Sequence, residues 1–285
     1  MSTRRMVGHL LAPVRSRIGS RRGMTPGYLI VGTKRGGSTS IAHWISQHPQ
    51  VAPCRLAKGT HYFDVNFQRG WQWYLSSFEP PTDGVQITGE ASPYYMFHPL
   101  SIERIAAALP DVRLIVSLRE PVARAWSHHQ YETQQGFENL PFAEAIALEG
   151  ERVEGEEEKI RTNPRYESYA HRHHTYLQRG HYAEQLERIY RHFSPEQVLV
   201  MRSESMFTDP QGELARVWSH LGLTPVHLDG LDRFKATHAP LDIPRALHER
   251  LTDYYRPWNE RLEQLPGVGF TWNGQQTKRT GHGDR

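Results

Sequence analysis

The chain has 285 residues, 38% of them hydrophobic and 11% aromatic, enough to bury a sizeable core in one large or two small domains. No apolar run approaches the roughly 20 residues a membrane-crossing helix needs, and the single cysteine, Cys54, excludes an internal disulfide and fits a reducing, cytoplasmic setting. The net charge of +3 sits at the ends: residues 1–25 carry six arginines and no acid and residues 274–285 carry a net +2, which leaves −5 for residues 26–273 and excludes a broad nucleic-acid surface.

In chain order, the basic N-terminal stretch has an apolar run too short for a secretory leader and broken by Pro13, so residues 1–25 are expected to be a solvated tail. "YLIVG" (28–32) reads as a buried strand closed by glycine. Ile41, Trp44 and Ile45 follow at helical spacing, and His48-Pro49 ends that helix. Further strands are expected at 85–89, 112–118 and 197–202. Between them, Ile102, Ile105 and Leu109 mark one amphipathic helix, and Tyr182, Leu186, Ile189, Tyr190 and Phe193 another. Asp209-Pro210 is an N-cap followed by a first-turn proline, and Gly222 stops the helix it opens. A long helix is expected over roughly 244–264. Strands alternating with helices predict a three-layer α/β domain over 26–273 with a mainly parallel sheet, and ligands at the carboxyl ends of its strands. The glutamate-rich segment 149–174 departs from that rhythm and is expected to be an exposed insertion or lid. Residues 274–285 are expected to be a polar tail.

The loop after the first strand, "VGTKRGGSTS", nearly matches the phosphate-binding frame G-x-x-x-x-G-K-[ST], with Gly32 and Gly37 in place. Ser38 stands where the lysine belongs, and the only lysine is Lys34, inside the loop. Gly36 and Gly37 let the backbone approach an anion, and the N–H groups near Ser38, Thr39 and Ser40 point at it along the helix dipole. ATP chemistry would also need a carboxylate ending a nearby strand to hold magnesium. The strand 112–118 runs instead into Arg119, followed by Glu120-Pro121 and, two turns on, Ser127. A cation at that place suggests a second anionic group on the ligand.

Four stretches in order, "KRGGST" (34–39), "KGTHYFD" (58–64), "GEASPYY" (89–95) and "LIVSLREPVARAWSHHQ" (114–130), resemble sulfotransferases that use 3′-phosphoadenosine 5′-phosphosulfate (PAPS), above all the bacterial and heparan-sulfate-type carbohydrate enzymes. The resemblance spans about residues 26–273. It implies a P-loop-NTPase-like fold. It also implies that Lys34, Arg35, Gly36, Gly37, Ser38, Thr39 and Ser40 hold the 5′-phosphosulfate, that Arg119 and Ser127 hold the 3′-phosphate, and that no metal takes part. The displaced lysine then acquires a role, stabilising charge that grows on the oxygen leaving sulfur.

The sequence departs from the family where a base is expected. Heparan-sulfate-type enzymes read K-E-x-H-[FY]-F-D with the glutamate as presumed base, and this chain has Gly59 there; it also has Ala91 where a lysine is common. His61, oriented by Asp64, is placed ahead of Glu90 as the candidate base. The acceptor is expected to be a hydroxyl, or an amine, of a carbohydrate or small natural product. Competing readings are a P-loop kinase and a catalytically silent nucleotide-binding protein, the latter motivated by Gly59. His171 and His174 lack a carboxylate or cysteine partner in sequence and are read as a solvated edge rather than a metal site. His128 and His129 are read as helix-surface residues, and Cys54 as an inert thiol. Tyr94, Tyr95, Trp71 and Trp73 are candidates for an acceptor cleft or for the core, and Lys235 loosely matches a family loop over the donor.

Overall fold

A computed structural model describes residues 23–56, 59–231 and 242–272; Lys58, Lys235 and most of both tails lie outside the described residues. Five strands, β1 (Tyr28–Gly32), β2 (Val51–Ala52), β3 (Ile87–Ala91), β4 (Arg113–Leu118) and β5 (Val198–Arg202), form one sheet in the order β2-β3-β1-β4-β5, with every neighbouring pair parallel. The expected α/β architecture is therefore present. β1 sits at its centre and all five of its residues are buried, as a strand covered on both faces requires.

The side-chain alternation of β1 divides the core. Leu29 and Val31 point to one face, packing with Phe63, Tyr95, Ile105 and Leu186. Tyr28 and Ile30 point to the other, packing with Trp44, Ile45, Val217 and Trp218. Full burial of each such side chain is worth about 1.5–3 kcal/mol, so the strand that carries the phosphate-type loop is among the best-anchored segments of the chain. The helices flanking the sheet include α1 (Ser38–Ile45), α2 (Trp71–Leu75), α3 (Ser101–Ala108) and α4 (Pro121–Gln134). Past α5 (Phe142–Ala147), the segment expected to be an exposed insertion folds as α6 (Glu149–Val153), α7 (Glu156–Thr162) and α8 (Tyr169–His173), with Glu149, Glu156, Ile160, Ser168 and His171 buried. Hydrogen bonds make this burial tolerable: Glu149 accepts from the N–H groups of Leu177 and Gln178 at 2.6 and 2.9 Å, and Glu156 accepts from Tyr166 at 2.7 Å and from Ser168.

Downstream come α9 (Tyr182–Tyr190), α10 (Ser205–Thr208), α11 (Pro210–Leu221) and α12 (Arg245–Glu263). Asp209 caps α11 by accepting from Gly212 N–H at 3.0 Å, and Gly222 ends it at φ 69°, both as the sequence indicates. α12 packs Leu251 and Tyr255 onto Val122 and Ala125 of α4, fixing the helix that carries Ser127. Among the described residues no helix is long and apolar enough to cross a membrane.

Candidate active site

The loops leaving the carboxyl ends of β1, β3 and β4 meet at one edge of the sheet. After β1 the chain turns tightly: Thr33 N–H donates to Ser117 O at 2.8 Å, Gly36 N–H to Thr33 O at 2.9 Å, and Ser117 Oγ to Gly36 O at 2.5 Å. The two glycines serve different needs. A Cβ on Gly36 would fall 2.4 Å from Ser117 O, and Gly37 has φ 90°, a region L residues rarely adopt. Gly37 is also the N-cap of α1 and offers no side chain to it. The first-turn N–H groups of Ser38 to Ser40 are thus left for an external acceptor.

α4 faces this loop. Glu120 caps its start by accepting from Val122 and Ala123 N–H at 3.0 and 2.7 Å, with Pro121 in the first turn. This use of Glu120, next to the strand end where a P-loop kinase would need a metal carboxylate, leaves the residue serving a helix terminus. Ser127 and Tyr131 lie one helical turn apart on the loop side. Arg35 Nε donates to Ser127 Oγ at 3.0 Å, and the Arg35 guanidinium lies 5.0 Å over the Tyr131 ring, with Lys34 Nζ 5.5 Å from it. Arg119 is half-buried at the end of β4. Burial lowers its pKa, the charge of Glu204 opposes that, and the charge of Arg35 adds to the lowering. Two guanidiniums near enough to repel each other, beside a serine and an uncapped helix, suit a ligand with two anionic groups.

Sequence reasoning missed Glu132. It is a fully buried carboxylate that binds Lys34 Nζ, accepts from His173 Nδ1 at 2.8 Å and lies 3.1 Å from His128 Nε2. Burial opposes its ionisation, yet the bonds from His128 and His173 and the Lys34 charge hold its pKa well below the usual carboxylate range. Lys34 is pulled the other way. Burial and the charge of Arg179 lower its pKa to about 8, against the raising influence of Glu132. Glu132 thus holds both the direction and the charge of Lys34. Glu132→Gln keeps an acceptor but removes the countercharge, so the alkaline limb of kcat/KM for the sulfuryl donor is expected to move to lower pH; an unmoved limb would refute this coupling.

After β3, the segment carrying His61 is built on Glu90. Glu90 Oε1 accepts from Thr60 Oγ1 (2.9 Å) and Tyr95 OH (2.7 Å), and Oε2 from Thr60 N–H (3.1 Å) and Ser92 Oγ (2.7 Å). With four bonds and 4% exposure, Glu90 braces the loop rather than facing a ligand; burial outweighs these bonds and raises its pKa. Ser92 Oγ accepts from His61 N–H at 3.0 Å, where His61 has φ 48°. Asp64 Oδ2 lies 2.8 Å from His61 Nδ1, an arrangement that directs Nε2 outward as acceptor. Burial would lower the His61 pKa, but the hydrogen bond and charge of Asp64 prevail and raise it.

Gly59 now has a physical account. Its φ is 75°, and a Cβ there would lie 2.1 Å from Ala91 O and 2.7 Å from Ser92 Oγ. Restoring the family glutamate with Gly59→Glu is expected to cost about 3 kcal/mol or more and to lower transfer, read from thermal unfolding and a transfer assay; a gain in rate at unchanged stability would overturn this.

Other expectations shift. His128 and His129 are 0% and 4% exposed rather than on the helix surface: His128 pairs with Glu132 and the His129 ring reaches Leu140 O at 2.8 Å. His171 is buried against Tyr94 OH at 2.7 Å, while His174 contacts Phe137 O at 3.0 Å, so the pair is divided between a buried contact and a surface one. Tyr95 belongs to the core, whereas Tyr94 and Trp71 line cavities. The Cys54 thiol is half-buried, donates to Ser77 O at 3.4 Å and is pushed by burial up to about 12, which suits an unreactive role. Arg172 shares a cavity wall with Asp64, the partner of His61.

Comparison with known proteins gives the family. A model of the sulfotransferase domain matches residues 26–234. Human heparan sulfate glucosamine 3-O-sulfotransferase 6 is 32% identical, over 91% of this chain and 77% of that protein. Human heparan sulfate glucosamine 3-O-sulfotransferase 3A1 is 30% identical, over 87% of this chain and 63% of that one. The crystal structure of a sulfotransferase from Alicyclobacillus acidocaldarius superposes with a TM-score of 0.68 at 28% identity, covering 84% of this chain and 95% of the other. With a parallel sheet, a lysine-bearing loop after its central strand and paired arginines beside it, the chain belongs to the sulfotransferase family.

Proposed function

We propose that this sulfotransferase takes its sulfuryl group from PAPS and places it on a hydroxyl of a carbohydrate, releasing adenosine 3′,5′-bisphosphate. The carrying observation is the pairing of Arg35 with Ser127, which brings the loop after β1 against α4 beside Arg119 and gathers cations and a hydroxyl suited to a ligand with two anionic groups. Arg119 and Ser127 would hold the 3′-phosphate, and residues 34–40 the 5′-phosphosulfate. His61 Nε2 takes the acceptor proton as the acceptor oxygen bonds to sulfur. The bond from sulfur to the bridging oxygen breaks in line, and its electron pair stays on the 5′-phosphate, where the Lys34 ammonium meets the developing charge. The relatives' names support a carbohydrate acceptor, and the single cysteine supports a cytoplasmic setting.

The test is transfer of label from PAPS to an acceptor, with ATP and magnesium as the competing donor mixture. Arg119→Ala is expected to weaken bisphosphate binding roughly 10- to 100-fold, the scale of a charged hydrogen-bonding partner. Unchanged binding in calorimetry would remove Arg119 from the donor site.

A further inference from the structure

Two cavities share Gln68 and Pro164, and the smaller is walled by Asp64, the carboxylate bonded to His61 Nδ1. This smaller one, about 330 Å³, is polar, with walls that also include Tyr94, His98, Arg165, Glu167 and Arg172. The second, about 810 Å³, is a groove between α2 and α3, based on Tyr62, Phe67, Trp71, Leu100, Ala107 and Ala108. The basic groups at its rim are already engaged. Arg104 donates to Phe63 O at 2.9 Å and Asp64 O at 3.2 Å and lies 4.2 Å over the Phe67 ring. Arg161 pairs with Glu157 at 2.6 Å, and Glu103 adds a negative charge. A polyanionic glycan would find few free cations there, whereas carbon surface would be well matched.

We propose that the acceptor is an amphipathic glycoside, its sugar in the polar cavity with a hydroxyl toward the His61–Asp64 pair and its apolar aglycone along the Tyr62–Phe67–Trp71 groove. This rests on the sulfotransferase reading above, and the Gln68 and Pro164 walls that the groove shares with the cavity at Asp64, the partner of His61, are what assign it to the acceptor. End walls of both cavities come from the end of α7 and the stretch after it: Arg161 and Pro164 border the groove, and Pro164 to Ser168 border the polar cavity. Segment 149–174 thereby shapes the choice of acceptor.

The experiment titrates the full chain, saturated with adenosine 3′,5′-bisphosphate, with n-octyl β-D-glucopyranoside below its micelle concentration, with methyl β-D-glucopyranoside and with a heparin hexasaccharide. Each methylene taken from water is worth about fourfold in affinity, so even a partly buried octyl chain should bind about 100-fold tighter than methyl. Ala107→Glu, at an exposed position on the groove wall, should erase at least tenfold of that advantage, as should Trp71→Ala, while bisphosphate binding stays unchanged. Equal binding of the two glucosides, octyl binding indifferent to Ala107→Glu, or tighter binding of the heparin hexasaccharide would each overturn the proposal. Failure of the bisphosphate itself to bind would instead overturn the donor reading on which it rests.

Discussion

Replacing Lys34 with alanine is expected to lower kcat for sulfuryl transfer by about 10²–10³-fold, the scale for removing one preorganised group that meets developing charge, while bisphosphate binding weakens by no more than about tenfold. The two effects separate because the other groups proposed to hold the anion remain. Gly36 still fits against Ser117 O, the first turn of α1 is still uncapped, and Arg35 still reaches Ser127. Lys34 is placed differently from these. Its ammonium is held by Glu132 on α4 inside a cationic neighbourhood that includes Arg179 and Arg172. Burial first, and then the Arg179 charge, lower its pKa to about 8 against the raising influence of Glu132, close enough to neutrality for kcat/KM to fall as pH rises through that value. The sign follows from the role: only the protonated amine can oppose charge on the leaving oxygen. Single-turnover transfer measured beside calorimetric bisphosphate binding tests the separation. Parallel loss of both would make Lys34 a binding residue, and unchanged transfer would remove it from the reaction.

The elements most legible in the sequence are those whose cause is local. β1 runs over 28–32 as its apolar residues and closing glycine indicate, and α11 starts at Asp209-Pro210 and stops at Gly222 because caps are short-range chemistry. β3 lies two residues later than "VQITG" suggests. The backbone N–H groups of Gln86 and Ile87 both go to Gln50 O, so the strand begins only where β2 arrives beside it, and β2 is two residues long, too short to leave a period. The fold's placement of Lys34, Arg35 and Ser127 together follows from a motif after β1 and another after β4, neighbouring parallel strands. Glu132 was not legible because the partner that gives it meaning lies 98 positions away. Only its spacing of four from His128 on one helical face offered a signal. The run "HRHH" reads as solvated because its polarity is local. Its burial comes from Tyr94, which takes His171, and from Glu132, which takes His173.

His61→Ala is expected to reduce transfer by about 10²–10⁴-fold, the range for a positioned general base, with bisphosphate affinity unaffected, since none of the loop's anion-binding contacts passes through the imidazole. The acid limb identifies the group. The Asp64 hydrogen bond and charge, prevailing over burial, raise the His61 pKa above the ordinary histidine value. A base must be neutral to accept a proton, so kcat/KM should rise with pH through that elevated value. Asp64→Asn removes the influence that raises the pKa, so the limb must move to lower pH, even as kcat falls because Nε2 is no longer held toward the acceptor. A purely structural role for Asp64 would lower activity without moving the limb. Glu90 supplies the contrast. Its carboxylate is occupied by Thr60, Ser92 and Tyr95, so Glu90→Gln should lower the melting temperature through lost charge-assisted bonds, with an acid limb still set chiefly by His61 and Asp64. If Glu90→Gln abolishes that limb and Asp64→Asn leaves it in place, the proton goes to Glu90 and the assignment to His61 fails.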